Sequence, residues 1–302
     1  MNATLAGLAA TPQPLDALLK SLRPRLHRYC ARMTGSAVDG EDVLQDALLK
    51  AVSAFPDAGP VANVEAWLFR IAHNAALDFL RRRARQENNR SDEDMGLIAD
   101  ASASADSRHV AAASLRTFMR LPVTQRSCVI LMDVLGHSLE EVVAVTGMTL
   151  PAVKAALHRG RARLREIADE PDDRPLPVLA EPERSLLAAY IDRFNARDFD
   201  ALRNMLGENV RLELVSHLRL NGRKEVSSYF GNYASISDWR LVAGLADGRP
   251  AILVCDPGNL SAPPAYFILL RWADGTVTGI RDFRYARYII ESADIVVDHD
   301  TA

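Results

Sequence analysis

Cysteine is scarce in this 302-residue chain: only Cys30, Cys128 and Cys255 occur, far apart, with no Cys-x-x-Cys pair and no Cys/His cluster around them. Neither a disulfide framework nor a zinc site is expected, and no cofactor is implied. All three cysteines read as buried free thiols. No apolar run reaches the roughly eighteen residues of a membrane-spanning helix. Met1 to Ala10 is apolar but has no Lys or Arg ahead of its apolar stretch, and it is too short for a secretory signal. It reads as a frayed leader on a cytoplasmic protein. Large apolar residues are almost missing between Ser91 and Ala113, where Ser, Ala and Asp dominate, so a linker is expected there. No internal repeat is present.

The net charge of −3 hides an uneven distribution. Counting Lys and Arg against Asp and Glu, Thr11 to Arg90 carries about +3 and Ala112 to Ala168 about +4. Ser91 to Ala111 carries about −4, and Asp169 to Ala302 about −6. Two basic modules, each expected to have its own core, are thus divided by an acidic spacer and followed by an acidic domain. Basic modules of this kind suit a polyanion.

Leu15 to Arg85 reads as helical. Val43, Leu44, Ala47, Leu48 and Ala51 recur at helical steps, as do Trp67, Leu68, Ile71 and Ala75, and Pro56, Gly59 and Pro60 mark a loop between the two runs. Leu115 to Ile167 is helical again, with breaks at Gly136-His137 and at Gly147. Leu139, Val142, Val143 and Val145 form a short amphipathic helix. Gly147 comes next, where a turn needs positive φ, Thr149 can cap a second helix, and Pro151 sits in its first turn. Val153, Leu157, Leu164 and Ile167 make one buried stripe, with Lys154, His158, Arg159, Arg161, Arg163 and Arg165 largely off it. This is the pattern of a helix-turn-helix whose second helix enters a major groove. Upstream, the aromatic-bearing helix from Trp67 runs into Arg81, Arg82, Arg83 and Arg85, where cations hold phosphates and aromatics meet unstacked bases.

After Asp169 to Pro182, which holds four prolines and reads as a second linker, the pattern changes. Ser185 to Phe194 and Phe199 to Leu206 read as helices, Val210 to Leu220 as a strand and Glu225 to Tyr233 as a helix. Strand-like runs come after them at Trp239 to Ala243, Ala251 to Cys255, Tyr266 to Trp272 and Thr276 to Ile290. Asp247-Gly248 and Asp274-Gly275 are hairpin signals. Helices followed by an antiparallel meander predict an α+β domain.

The stretch Glu41 to Ala51, the stretch Trp67 to Arg85, and Leu121-Pro122 with the helix-turn-helix ending at Arg165 resemble, in order and spacing, regions two and four of extracytoplasmic-function sigma factors. The resemblance covers roughly the first 170 residues. It implies a multidomain protein, and no enzyme: two all-α modules, a sigma region 2 helical bundle over 11–90 and a sigma region 4 helix-turn-helix over 114–168, joined by a linker over 91–113. A linker over 169–182 then leads to 183–295. That tail resembles the cone-shaped α+β fold of SnoaL-like proteins at Tyr190 to Leu202, Leu220 to Val226 and Ile280 to Tyr288.

By resemblance, Glu41, Asp42, Gln45, Asp46 and Leu49 face the clamp of core RNA polymerase, and the flap is a second contact. Phe55, Asn63, Trp67, Arg70, Asn74, Arg81, Arg82, Arg83 and Arg85 open and read the −10 element on the melted non-template strand. Thr149, Pro151, Ala152, Lys154, Ala155, His158, Arg159, Arg161 and Arg163 read the −35 element in double-stranded DNA. Many members of this family carry a polar or basic pair where this chain has Ala155-Ala156, which turns the expectation toward thymine methyls or DNA shape. In the tail, Tyr190, Phe194, His217, Trp239 and Asp282 are candidate pocket residues for a small ligand. The expected function is a promoter-specificity subunit modulated by its tail, through contact of the acidic tail with the basic modules. The competing readings are a ligand-sensing DNA-binding regulator and an isomerase or cyclase with a DNA-binding appendage.

Overall fold

The computed structural model describes residues 12–59, 61, 63–88, 114–168, 179, 181–236, 238–259 and 261–298, the side chains of 12–16 and 87–88 excepted. The apolar leader, the 91–113 linker and most of the 169–182 linker lie outside the described residues. The chain divides into two compact units, Met1–Asp173 and Arg174–Ala302. No helix among the described residues is long and apolar enough to cross a membrane.

The first unit begins with α1 (Pro12–Thr34) and α2 (Ala37–Ala54). Gly35 turns the chain at φ 79°, and the Ser36 hydroxyl caps α2 by accepting the Asp39 N–H at 3.2 Å. The two helices touch backbone to backbone at Gly40, where a Cβ would lie 2.5 Å from the Ala31 nitrogen. A 3₁₀ turn at Phe55–Asp57 leads to α3 (Val64–Asn88). The second helical set holds α4 (Leu115–Met119), α5 (Val123–Val129), a π-helical turn at Ile130–Val134, α6 (Leu139–Thr146) and α7 (Leu150–Ala168). Ser138 and Glu141 form a reciprocal capping box on α6, and Gly147 ends it at φ 71°, the left-handed conformation its position predicts.

The two helical sets do not keep the separate cores expected of them. Leu26, Tyr29, Met33, Leu44 and Phe69 belong to the same apolar cluster as Phe118, Ile130, Leu131, Val142, Val153 and Leu157. Polar contacts cross the same boundary. Arg126 of α5, 4% exposed, donates to the carbonyls of Met33 (2.6 Å), Leu121 (2.9 Å) and Met119 (3.3 Å). Arg25 donates to the Leu135 carbonyl, and Phe69 meets the His137 ring edge-on at 4.6 Å.

Burial pulls the imidazoles of His27 and His73 down to about 4. His27 Nε2 bonds the Ala37 carbonyl at 2.9 Å, and His73 Nδ1 lies 2.6 Å from the Tyr29 hydroxyl. Both groups titrate lower in the folded chain than in the unfolded one. The stability they support is present above the unfolded value of about 6.5 and is lost as pH falls through about 4. Amide exchange resolved along the full chain is expected to show α1 and α3 losing protection between pH 6.5 and 4, and His27→Gln with His73→Gln should flatten that dependence.

The second unit runs α8 (Glu183–Asn195), α9 (Phe199–Asn204), β1 (Leu206–Leu214), β2 (Leu218–Asn221), α10 (Arg223–Ser227), α11 (Tyr229–Ala234), β3 (Arg240–Ala246), β4 (Arg249–Cys255), β5 (Tyr266–Ala273), β6 (Thr276–Asp282) and β7 (Ile295–Val297). The strands form one sheet in the order β2-β1-β6-β5-β4-β3-β7. Asn195 fixes α8 to this sheet by pairing both ways with the Leu241 backbone. Asp247-Gly248 and Asp274-Gly275 all have positive φ and close the two predicted hairpins. The α+β class is therefore as expected, and helices on a bent sheet are the architecture that the SnoaL-like resemblance implies.

Several element predictions are corrected. The sheet is mixed, because β1 pairs parallel with β6. Leu206 opens a strand instead of closing a helix. The predicted strand at Val210 to Leu220 is two, folded back through Ser216 at φ 68°. The helix over Glu225 to Tyr233 is broken at Ser228. The strand predicted from Thr276 to Ile290 stops at Asp282, whose carboxylate accepts the Arg284 N–H at 2.8 Å and turns the chain. The three thiols are free and buried, and burial pushes Cys128 up to about 11.

Candidate nucleic-acid interface

Helix α7 has one buried and one open face. Val153, Ala156, Leu157, Gly160, Leu164 and Ile167 are buried, and Gly160 lets α5 approach so closely that a Cβ would lie 2.7 Å from Val129 Cγ2. The open face begins at the cap, where the Thr149 hydroxyl accepts the Ala152 N–H at 3.4 Å. Leu150, Pro151, Lys154, His158 and Arg159 are exposed there, and Ala152 and Ala155 are half-buried. Two sequence-based assignments change. Ala156 lies in the core, so only Ala155 of the Ala155-Ala156 pair reaches the open face. Arg161 is held by Asp133 through two bonds of 2.9 and 2.5 Å, which raise its pKa, so it ties α7 to the π-helical turn. Arg163 pairs with Glu166 at 2.8 Å on the surface.

On α2, Asp42, Asp46 and Leu49 are exposed at helical spacing and continue into Val52, with Gln45 half-buried beside them. Leu49 is 63% exposed and Val52 53%, and at three-residue spacing they form one exposed apolar patch on a helix whose other face is core. Glu41 departs from the expectation. It is fully buried and paired with Arg23, so it braces α1 against α2 and is not open to a partner. Beside this face, a groove of about 600 Å³ runs between Asp46, Leu49 and Lys50 of α2 and Asp78, Arg81, Arg82 and Arg85 of α3.

Along α3, Arg70, Asn74, Arg81, Arg82, Arg83 and Arg85 are exposed. Arg81 pairs with Asp78 at 3.2 Å and Arg82 with Asp46 at 3.9 Å, surface contacts that a phosphate can displace at little cost. Asn63 caps α3 by accepting the Ala66 N–H at 2.9 Å. Trp67 is half-buried, with its ring 6.0 Å from that of Phe55. The structure thus separates the exposed polar row from an aromatic pair that also serves packing.

In the second unit, Tyr190, Phe194, Trp239 and Asp282 are buried, whereas His217 is exposed at the β1–β2 turn and stacks on Tyr285 at 4.2 Å. The partners that sequence reasoning missed are tyrosines. Asp282 accepts the hydroxyls of Tyr229 and Tyr233, both at 2.8 Å, and Tyr266 lies 3.1 Å from the Tyr233 hydroxyl. The four-residue spacing of Tyr229 and Tyr233 was the available signal. Burial raises the pKa of Asp282, against the hydrogen bonds that lower it.

The family described as Sigma-70 region 2 matches residues 18–86, and Sigma-70, region 4 matches residues 115–164. The chain is 35% identical over 162 residues to the ECF RNA polymerase sigma factor SigM of Mycobacterium tuberculosis, covering 54% of this chain and 81% of that one. It is 29% identical over 259 residues to the ECF RNA polymerase sigma factor SigG of Mycobacterium tuberculosis, covering 76% of this chain and 70% of that one. Among solved structures, the extracytoplasmic function sigma factor SigJ of Mycobacterium tuberculosis overlaps 88% of this chain and 95% of its own, with 19% identity and a TM-score of 0.34.

Proposed function

This chain belongs to the extracytoplasmic-function family of RNA polymerase sigma factors, which direct transcription initiation, and from that premise we propose a division of labour among its surfaces. The open face of α2 seats on the clamp of core RNA polymerase, in the cytoplasm. The row along α3 engages the −10 element and the melted non-template strand. Helix α7 enters the major groove at the −35 element. The observation that carries the polymerase assignment is the exposed face of Asp42, Asp46, Leu49 and Val52, since an exposed aliphatic pair flanked by carboxylates is a docking surface and not a packing one.

Charge reversal at Asp42 and Asp46 tests it. Capture of core polymerase is expected to fall by roughly tenfold or more, about 1.4 kcal/mol, with helical content unchanged. Equal capture by the Asp42→Lys, Asp46→Lys variant and the parent would remove the assignment.

We assign the tail a modulating role and not a catalytic one. A general base must reach the proton it removes, and both oxygens of Asp282 already accept bonds within a closed core. Two features support modulation: the charge contrast between about −6 in the tail and about +3 and +4 in the basic modules, and a short tether that gives a high effective concentration. Equal in-vitro transcription by the full chain and by one ending near Asp169 would argue against it. Any small ligand of the tail would act through unequal affinity for two states.

A further inference from the structure

Resting on the reading of α7 as the −35 helix, we propose that this chain recognises thymine in that element through the 5-methyl group, using an apolar patch of Leu150, Pro151 and Ala155. Leu150 is 40% exposed and contributes nothing to the core. Positions 150, 151, 154, 155 and 158 share one face of α7, opposite the buried stripe; Pro151 and Ala155 are neighbours along it, and Leu150 flanks them beside Lys154.

The rest of the face lacks amide and carboxylate readers. Residues 149–159 contain no Asn, Gln, Asp or Glu, so no amide there can bond adenine bidentately and no carboxylate can accept from cytosine. Arg161, a turn further on, has its fork occupied by Asp133 and is not free to grip guanine. The Thr149 hydroxyl is engaged at the helix cap. What remains are Lys154 and Arg159, which can hold phosphates or guanine, His158, and the apolar patch. In the major groove the thymine methyl is the apolar feature for such a patch to meet. The surrounding charge favours DNA over a protein partner, because residues 149–165 carry no carboxylate.

The test uses the full chain assembled with core polymerase. Promoter duplexes are selected from a library randomised across the upstream element. Each thymine of the selected element is then replaced by deoxyuridine, which removes one methyl and leaves pairing intact. At one thymine or more, affinity is expected to fall about fourfold, the effect of one buried methyl-sized group. For Leu150→Asn, or for Ala155→Ser, that penalty should disappear while the salt dependence stays that of the parent. An element without thymine, or one indifferent to deoxyuridine throughout, overturns the proposal and leaves the −35 reading standing. So does a penalty that persists in both variants. No upstream preference at all defeats the −35 reading itself. Loss of core capture by Leu150→Asn in the absence of DNA would assign the patch to the polymerase and overturn the proposal.

Discussion

Arg126→Met is expected to destabilise the first unit by about 3 kcal/mol or more, the cost of leaving buried carbonyls without donors. The guanidinium serves Met33, Leu121 and Met119 at once, and the Met33 carbonyl belongs to the last turn of α1, where no helical N–H remains to bond it. Burial lowers the pKa of Arg126 to about 10, so the group stays charged at neutral pH and its bonds are charge-assisted. Met fills much of the volume and supplies no donor. Arg126→Lys should fall between the two, because a single ammonium cannot reproduce the planar fork. Urea unfolding of the full chain, with residue-resolved exchange alongside, checks this. Protection should fall in α1 and α5 together, since the lost contact joins them. On the proposed reading, in which residues 12–88 and 114–168 engage separate promoter elements, this contact would be one that promoter binding opens. The Arg126 variant is therefore expected to keep its capture of core polymerase through α2 while losing the cohesion of the free protein.

Asp282→Ala is expected to cost the second unit about 3 kcal/mol or more, since it strips three donors of their acceptor and leaves a cavity at the end of β6. The pH dependence gives a second signature. Burial raises the Asp282 pKa above its unfolded value, so the folded unit binds a proton more readily than the unfolded chain. Its contribution is most favourable below the unfolded value of about 4 and declines as pH rises through the folded value. The direction is opposite to that of His27 and His73, so acid should loosen the first unit while favouring the second. Thermal unfolding followed from about pH 4 to pH 8 checks it. The transition of the second unit in the parent should weaken as pH rises from the unfolded value, and Asp282→Ala should lose that dependence. Equal stability of parent and variant throughout would show the tyrosine cluster to be indifferent to its carboxylate.

The helix-turn-helix was readable because its determinants are local. Gly147 must take positive φ, Thr149 caps the second helix, and a 3.6-residue period places Val153, Leu157, Leu164 and Ile167 on one side whatever lies opposite them. The hairpins at Asp247-Gly248 and Asp274-Gly275 were readable for the same reason. The arginines of α3 kept their exposure because a charged row at a helix end has no other inexpensive place to go. Glu41 and Arg161 could not be placed from sequence. Each sits in a charged stretch that reads as surface, and each is drawn inward by one partner far along the chain, Arg23 or Asp133. Asp282 was named from sequence as a pocket residue of the tail, but its tyrosine partners, from a helix about fifty residues earlier, were not.

By itself, then, the sequence determined the element types in the first unit, the turn chemistry, the charge pattern and the family, all of which depend on neighbours within a few residues or on order along the chain. Only the tertiary structure decided that the two helical sets share a core, that β1 runs parallel to β6, and that β7 closes the edge beside Gly244, where a Cβ would lie 2.5 Å from the Val296 carbonyl. Those outcomes depend on which distant surfaces meet. Burial energy is non-directional, so the hydrophobic pattern marks a face for burial without naming the face that will cover it.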